Sequence, residues 1–201
     1  MAYDTIASHE AVNKTAEALK KNGFSVIVAK DGSDAKAHVF KLIPKGAEVM
    51  PMTSVTLDTL GISKEINESG HYKSARSKLY DKETPPKEKK KLGCIPDYTI
   101  GSVHAVTQEG HLLIASNTGS QLPAYAYGAE KVVWVVGTQK IVKDTNDGLK
   151  RIYEHSLPLE SERAKKAYGV AGSSVNKILI VNREIVPGRI TVVLVPEVLG
   201  F

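Results

Sequence analysis

Cysteine is nearly absent from this 201-residue chain: Cys94 stands alone. One thiol excludes an internal disulfide framework and a thiolate-rich metal site within one chain. Iron–sulfur ligation has the same need for several thiolates, so no cofactor is expected in the chain itself. Long apolar runs are missing too. None approaches the roughly 18 residues of a membrane-spanning helix. The opening stretch, MAYDTIASHEAVNKTAEALKK, lacks a basic start followed by an apolar core, so no secretory signal is read there and a cytoplasmic location is expected. Internal repeats, low-complexity tracts and long linkers are also lacking. A single α/β domain over residues 1–201 is therefore expected.

What remains is ordinary globular composition, 42% hydrophobic and 24% charged, with a formal net charge of +5. Part of that charge lies in Lys87-Glu88-Lys89-Lys90-Lys91, behind Pro85 and Pro86. No aromatic residue interleaves these lysines. The arginines, Arg76, Arg151, Arg163, Arg183 and Arg189, are scattered along the chain. A nucleic-acid surface clusters such groups, so the run reads as a solvated helix start and nucleic acid is not expected as a partner.

Apolar periodicity alternates between helix and strand. Ser8–Asn22 reads as a helix closed by Gly23, and Phe24–Ala29 as a buried strand. Ser33 or Asp34 caps a helix to Leu42, Ala47–Met50 is a strand, and Thr53 or Ser54 caps a short helix ending near Gly61. Residues 62–92 are polar and predict helices broken near Gly70 and Pro85–Pro86, a helical insertion lying over one side of the sheet. Tyr72, Arg76 and Tyr80, spaced by four, fit one helix face. Strands resume at Tyr98–Val103, Leu112–Ala115 and Lys131–Val136, with a turn or short helix at Val106–Glu109 and a short helix at Leu122–Tyr127. Helices follow at Asp144–His155 and Leu159–Tyr168. The strands Lys177–Val181 and Arg189–Val195, separated by Pro187-Gly188, predict a C-terminal antiparallel hairpin. The pattern predicts an α/β fold with a mostly parallel twisted sheet flanked by helices. Phe24–Ala29, Leu112–Ala115 and Val132–Val136 are expected to share one sheet and be well buried.

Four places carry candidate chemistry. The loop Asn117-Thr118-Gly119-Ser120-Gln121 follows a strand and precedes a helix. It predicts a cradle for a phosphate or carboxylate, and equally fits a plain turn in which Gly119 takes positive φ and Ser120 caps. It lacks the GK[ST] of a P-loop and the G-x-G-x-x-G of a dinucleotide site. Glu109, before Gly110, is a candidate base or acyl nucleophile, or else a surface turn residue. His9, His38, His71, His104, His111 and His155 show no HExxH spacing. His104 and His111 flank Glu109, which suits a zinc or acid–base cluster, but single histidines at strand ends are the plainer reading. Cys94 beside the lysine run could be reactive, or a small buried residue before a strand.

The chain also resembles the LUD-domain family, the lactate-utilisation domain, from about Gly46 onward. The segments that carry the likeness are MTSVTLDTLGI (52–62), IGSVHAVTQEGHLL (100–113), SNTGSQLPAYAYGA (116–129), VVGTQKIVKD (135–144), LPLESERAKKAYG (157–169) and RITVVLVPEVLGF (189–201). The resemblance implies a fold related to ribose-phosphate isomerases, glucosamine-phosphate deaminases and CoA-transferases. In those relatives phosphate, carboxylate or CoA groups bind at strand-end loops, the place of Asn117–Gln121. A CoA-transferase glutamate attacks an acyl group, and Glu109-Gly110 is the nearest counterpart. Some LUD proteins carry a cysteine cluster after the LPLE-like helix. Here VAGSSVN (170–176) has none, so the resemblance points to the branch without it. Its implication is a small-anion-binding accessory component of lactate or related organic-acid utilisation, with redox subunits as partners. The alternative is a stand-alone enzyme acting on a sugar phosphate or acyl-CoA, with Glu109 as base or nucleophile. Whether the chain is catalytic is left open by the sequence.

Overall fold

The computed structural model describes residues 3–201. In chain order the elements are α1 (His9–Lys21), β1 (Ser25–Val28), α2 (Gly32–Leu42), β2 (Glu48–Pro51), α3 (Val55–Thr59), α4 (Ile62–Glu68), β3 (Lys73–Ser74), α5 (Ala75–Tyr80), α6 (Pro86–Cys94), β4 (Tyr98–Gly101), β5 (Ala105–Thr107) and β6 (Leu112–Ser116). A π-helical turn at Ala124–Gly128 leads to β7 (Lys131–Gly137), a 3-10 turn (Thr138–Lys140) and β8 (Ile141–Val142). Then come α7 (Thr145–Arg151), a second π-helical turn (Ile152–Ser156), α8 (Leu157–Tyr168), β9 (Lys177–Val181) and β10 (Ile190–Val195).

Helix starts follow from local chemistry. The Ser8 hydroxyl accepts from the Ala11 N–H at 3.2 Å and the Ser54 hydroxyl from the Leu57 N–H at 3.4 Å, each satisfying a donor that the helix cannot. Asp31, rather than Ser33 or Asp34, caps α2, its carboxylate accepting from the Asp34 N–H at 2.8 Å. In the polar stretch the helices break where Gly70 and Pro85 stand, but the short β3 adds a parallel edge to β2. Tyr72 precedes α5 and stacks on Phe40, with ring centroids 5.7 Å apart, instead of continuing the helix face of Arg76 and Tyr80.

Six strands form one wholly parallel sheet in the order β1-β10-β7-β4-β2-β3. A second, mixed sheet has the order β8-β5-β6-β9. Residue parity divides the core. Trp134, Val136, Val192 and Leu194 join Leu112 and Ile114 of the second sheet and Val12, Ala16 and Leu19 of α1. Val133, Val135, Val193 and Val195 face the other way, onto Ala35 and Val39 of α2, Leu57 of α3 and Ile62 and Ile66 of α4. Leu113 and Ala115, on the far side of β6, pack with Ile152.

Several expectations need correction. Leu112–Ala115 does not share a sheet with Val132–Val136; it is the centre of the second sheet. The run is apolar throughout because β6 is covered on both faces, by α1 and the parallel sheet on one side and the α7 region on the other. Ala105–Thr107 is a strand, not a turn or helix, and the turn comes after it. Leu122–Tyr127 lies largely in the π-helical turn. The C-terminal strands are not a hairpin: β9 pairs antiparallel with β6, and β10 runs parallel between β1 and β7. The Pro187-Gly188 turn exists, with the Arg189 N–H donating to the Val186 carbonyl, but the chain there crosses between sheets. Finally, β1 is an edge strand with Val28 half exposed, because only β10 flanks it.

Candidate functional site

The carboxyl ends of the adjacent parallel strands β2, β4 and β7 open onto a cleft of about 490 Å³. This is where ligands sit in open parallel sheets, since the loops leaving the strands converge there. Each strand delivers a polar residue just past its end. Thr56 opens α3 after β2, Ser102 follows β4, and Lys140 ends the 3-10 turn after β7. The chain between β4 and β5, and again between β7 and β8, is passing from one sheet to the other. The cleft therefore lies at the seam between the two sheets. The opposite wall is the loop after β6 together with α8 and the segment beyond it.

Lys140 is buried, at 1% exposure. Its ammonium donates to the Thr56 hydroxyl at 3.2 Å and the Ser102 hydroxyl at 3.1 Å. The Thr56 hydroxyl spends its own proton on the Leu199 carbonyl at 2.9 Å, so its lone pairs face the lysine. No carboxylate pairs with Lys140 among the described residues. Burial, followed by repulsion from Arg151, pulls the amine down to about 7.

Arg151 is fully buried and donates to the His104 carbonyl and the Ser156 hydroxyl. Its Nε and second terminal nitrogen find no hydrogen-bond acceptor among the described residues, and burial lowers its pKa to about 10. His104 lines the cleft. Its Nδ1 accepts from the Ala115 N–H at 3.1 Å, which assigns the ring proton to Nε2. Burial first, then Lys140 and Arg151, push it down to about 3, so it is a neutral donor at physiological pH. Arg163, also on the cleft, is neutralised by a two-pronged contact with Glu160 at 2.7 and 2.8 Å, which raises its pKa. Arg76 reaches the Pro51 carbonyl, the Thr53 hydroxyl and Tyr80, and no carboxylate among the described residues. Asp58 is the one cleft-lining carboxylate side chain outside an ion pair among the described residues, against Lys140 and Arg76 on the cleft and Arg151 beneath it.

Asn117, Thr118, Ser120 and Gln121 of the predicted loop line this cleft. The loop is self-bonded: the Gly119 N–H donates to the Ser116 hydroxyl at 2.8 Å and the Ser120 N–H to Thr118 at 3.3 Å. The Gly119 and Ser120 N–H groups are therefore not free to meet a ligand. Gly119 holds φ at +85°, and a Cβ there would lie 2.6 Å from the flexible Lys177 side chain. Gly119→Val is expected to cost about 1–2 kcal/mol through the left-handed backbone, read by urea denaturation, and to weaken ligand binding by displacing Thr118 and Ser120.

Glu109 is elsewhere. It lies in the turn between β5 and β6, and its carbonyl accepts from Asn22 at the end of α1 at 2.9 Å. Its side chain is 59% exposed and sits 3.7 Å from His111, and neither residue lines the cleft. The structure thus separates His104 from Glu109 and His111. The sequence reasoning passed over Lys140, Thr56, Ser102 and Arg151.

A model of the LUD domain matches residues 12–195. The chain belongs to the LUD-domain family. The solved structure of a DUF162 family protein from Deinococcus radiodurans is similar in fold, at a TM-score of 0.57 and 12% identity, covering 92% of this chain and 96% of that one. No curated protein matches the sequence significantly. The family name links this LUD-domain chain to lactate utilisation. No helix among the described residues is long and apolar enough to cross a membrane.

Proposed function

We propose that this LUD-domain protein binds a small organic anion, carrying a carboxylate or phosphate, in the cleft at the seam of its two sheets, and serves organic-acid utilisation as an accessory component in that way. The observation that carries this reading is Lys140, buried on the cleft without a carboxylate partner among the described residues, with the buried Arg151 guanidinium, which forms no ion pair there either and is opposed only by the more distant Asp4, beneath it. Holding an unpaired charge out of water costs several kcal/mol unless a counter-charge is supplied. A bound anion supplies it, and His104 and the Ser120 hydroxyl, which itself accepts from the Thr118 hydroxyl, add donors around it. With one cysteine in the chain, electron transfer in such a pathway would fall to redox subunits as partners. This reading gives Glu109, exposed and outside the cleft lining, no part in the site.

Isothermal titration with lactate, pyruvate, inorganic phosphate and a sugar phosphate tests the reading. At least one is expected to bind the parent. Lys140→Met is expected to abolish that binding, whereas Glu109→Gln and charge reversal of Lys89–Lys91 leave it unchanged. Binding that survives Lys140→Met in a folded variant, or no binding of any of the four by the parent, overturns it.

A further inference from the structure

Lys140 is placed as a nucleophile as well as a charge. A tetrahedral amine has three substituent positions beyond its own carbon. Two are occupied by hydrogen bonds to Thr56 and Ser102, and the third has no protein partner among the described residues. In the neutral amine the two N–H groups keep those hydroxyl partners. The lone pair then takes the third position, on a residue that lines the cleft. Asp58 and Glu160 also line the cleft, but no carboxylate among the described residues lies within ion-pairing distance to hold the proton on the nitrogen, and the buried Arg151 guanidinium opposes it.

This arrangement favours carbonyl chemistry over simple ion pairing. Once Lys140 is neutral, Arg151 remains as a buried cation beneath the cleft, opposed at a distance only by Asp4 and with two nitrogens that find no acceptor among the described residues. A carboxylate carried close to the carbonyl supplies the missing counter-charge while the carbonyl carbon meets the amine. Arg76, His104 Nε2–H and the Ser120 hydroxyl are donors on the residues that line the space such a molecule would occupy.

We propose that Lys140 condenses reversibly with a 2-oxo carboxylic acid to form an imine. The nitrogen lone pair attacks the carbonyl carbon and the C–N bond forms. The carbonyl π pair moves to oxygen, which takes one proton from the nitrogen, by way of the Ser102 hydroxyl. The resulting carbinolamine loses its hydroxyl with the second nitrogen proton as water, leaving C=N. Amine and ketone become imine and water, and nothing is oxidised or reduced. Hydrolysis reverses each step. An ordinary lysine, with pKa near 10.4, keeps only about a thousandth of its amine free at about pH 7.4. The same pH leaves much of Lys140 free, at its value of about 7.

The inference rests on the cleft being an anion site, and the test separates the two. The full chain is incubated with pyruvate and sodium borohydride, which reduces an imine to a stable secondary amine, and then weighed intact and mapped by peptide digestion. One adduct is expected, on Lys140 and on no exposed lysine. Lactate, which has the carboxylate without the ketone, is expected to give none. Lys140→Arg, which keeps the charge and length, is expected to lose the adduct completely. Titration calorimetry on the same samples reports binding independently. Pyruvate that binds without leaving an adduct at Lys140, or adducts spread over surface lysines, overturns the imine but not the anion site. Pyruvate that neither binds nor traps overturns the imine as well. Peptide mapping of the parent protein stands even if Lys140→Arg does not fold.

Discussion

Arg189→Ala is expected to lower stability by about 3–5 kcal/mol, a fall in Tm of roughly 10 °C for a chain of this length. The Arg189 side chain is 8% exposed and pairs with Glu184, itself 9% exposed, at 2.6 Å. Its other nitrogens donate to the Ala129, Ala124 and Tyr125 carbonyls at 3.2, 3.3 and 3.0 Å. These carbonyls belong to the π-helical turn and its exit, whose wide ring leaves acceptors that a regular helix would satisfy. Truncation strands a buried carboxylate and the Ala129 and Tyr125 carbonyls, whereas the Ala124 carbonyl keeps the Ala129 N–H. The double variant Arg189→Met with Glu184→Leu is expected to recover only part of the loss, because removing the pair removes the unpaired charge but leaves the carbonyls without a donor. Urea denaturation of both variants decides it. A single-variant loss below about 1 kcal/mol, the usual value of an exposed pair, would show that the bridge carries no such weight.

The second large effect is on pH. His104 drops from 6.5 to about 3 on folding and Lys140 from 10.5 to about 7. Both are bases whose folded value lies below the unfolded one, so the unfolded state takes up the proton first as pH falls. Stability therefore declines from about pH 10.5 down to 7 through Lys140, and again from about 6.5 down to 3 through His104. One pH unit of displacement is worth about 1.4 kcal/mol, so each group moves stability by a few kcal/mol. Above pH 10 the trend turns, because burial raises the Tyr125 phenol and the unfolded chain ionises first. Lys140→Met is expected to flatten the slope between pH 7 and 10 and to be at least as stable as the parent near neutrality. His104→Asn, whose carbonyl oxygen can still accept from Ala115, is expected to flatten the acid slope. Chemical denaturation across a pH series measures both. A slope between pH 7 and 10 that persists in Lys140→Met would mean that the amine is not buried unpaired.

The elements were legible because helix and strand are written in short-range patterns. Val12, Ala16 and Leu19 recur at helical spacing, and β7 is apolar on both faces because helices and a second sheet cover it. The strand-end loop at Asn117–Gln121 was legible for a similar reason, since Gly119 and its small polar neighbours announce a turn. Sheet membership was not. A run such as Leu112–Ala115 reads the same whether α1 and the parallel sheet cover it or two layers of helices do. The hairpin expectation failed on the same point: Pro187-Gly188 marks a turn without saying which sheets it joins.

The site divides along that line as well. By itself the sequence determined an α/β chain of the LUD-domain family and a polar loop at a strand end, because these depend on residue type and local order. Only the tertiary structure decided that Thr56, Ser102, His104, Lys140 and Arg151, spread over almost a hundred positions, meet at one seam. It also decided that Glu109 lies outside that cleft. Whether a lysine is a solvated surface charge or a buried amine is fixed by what lies around it, and the neighbours of Lys140 come from strands that are adjacent in the sheet but distant along the chain.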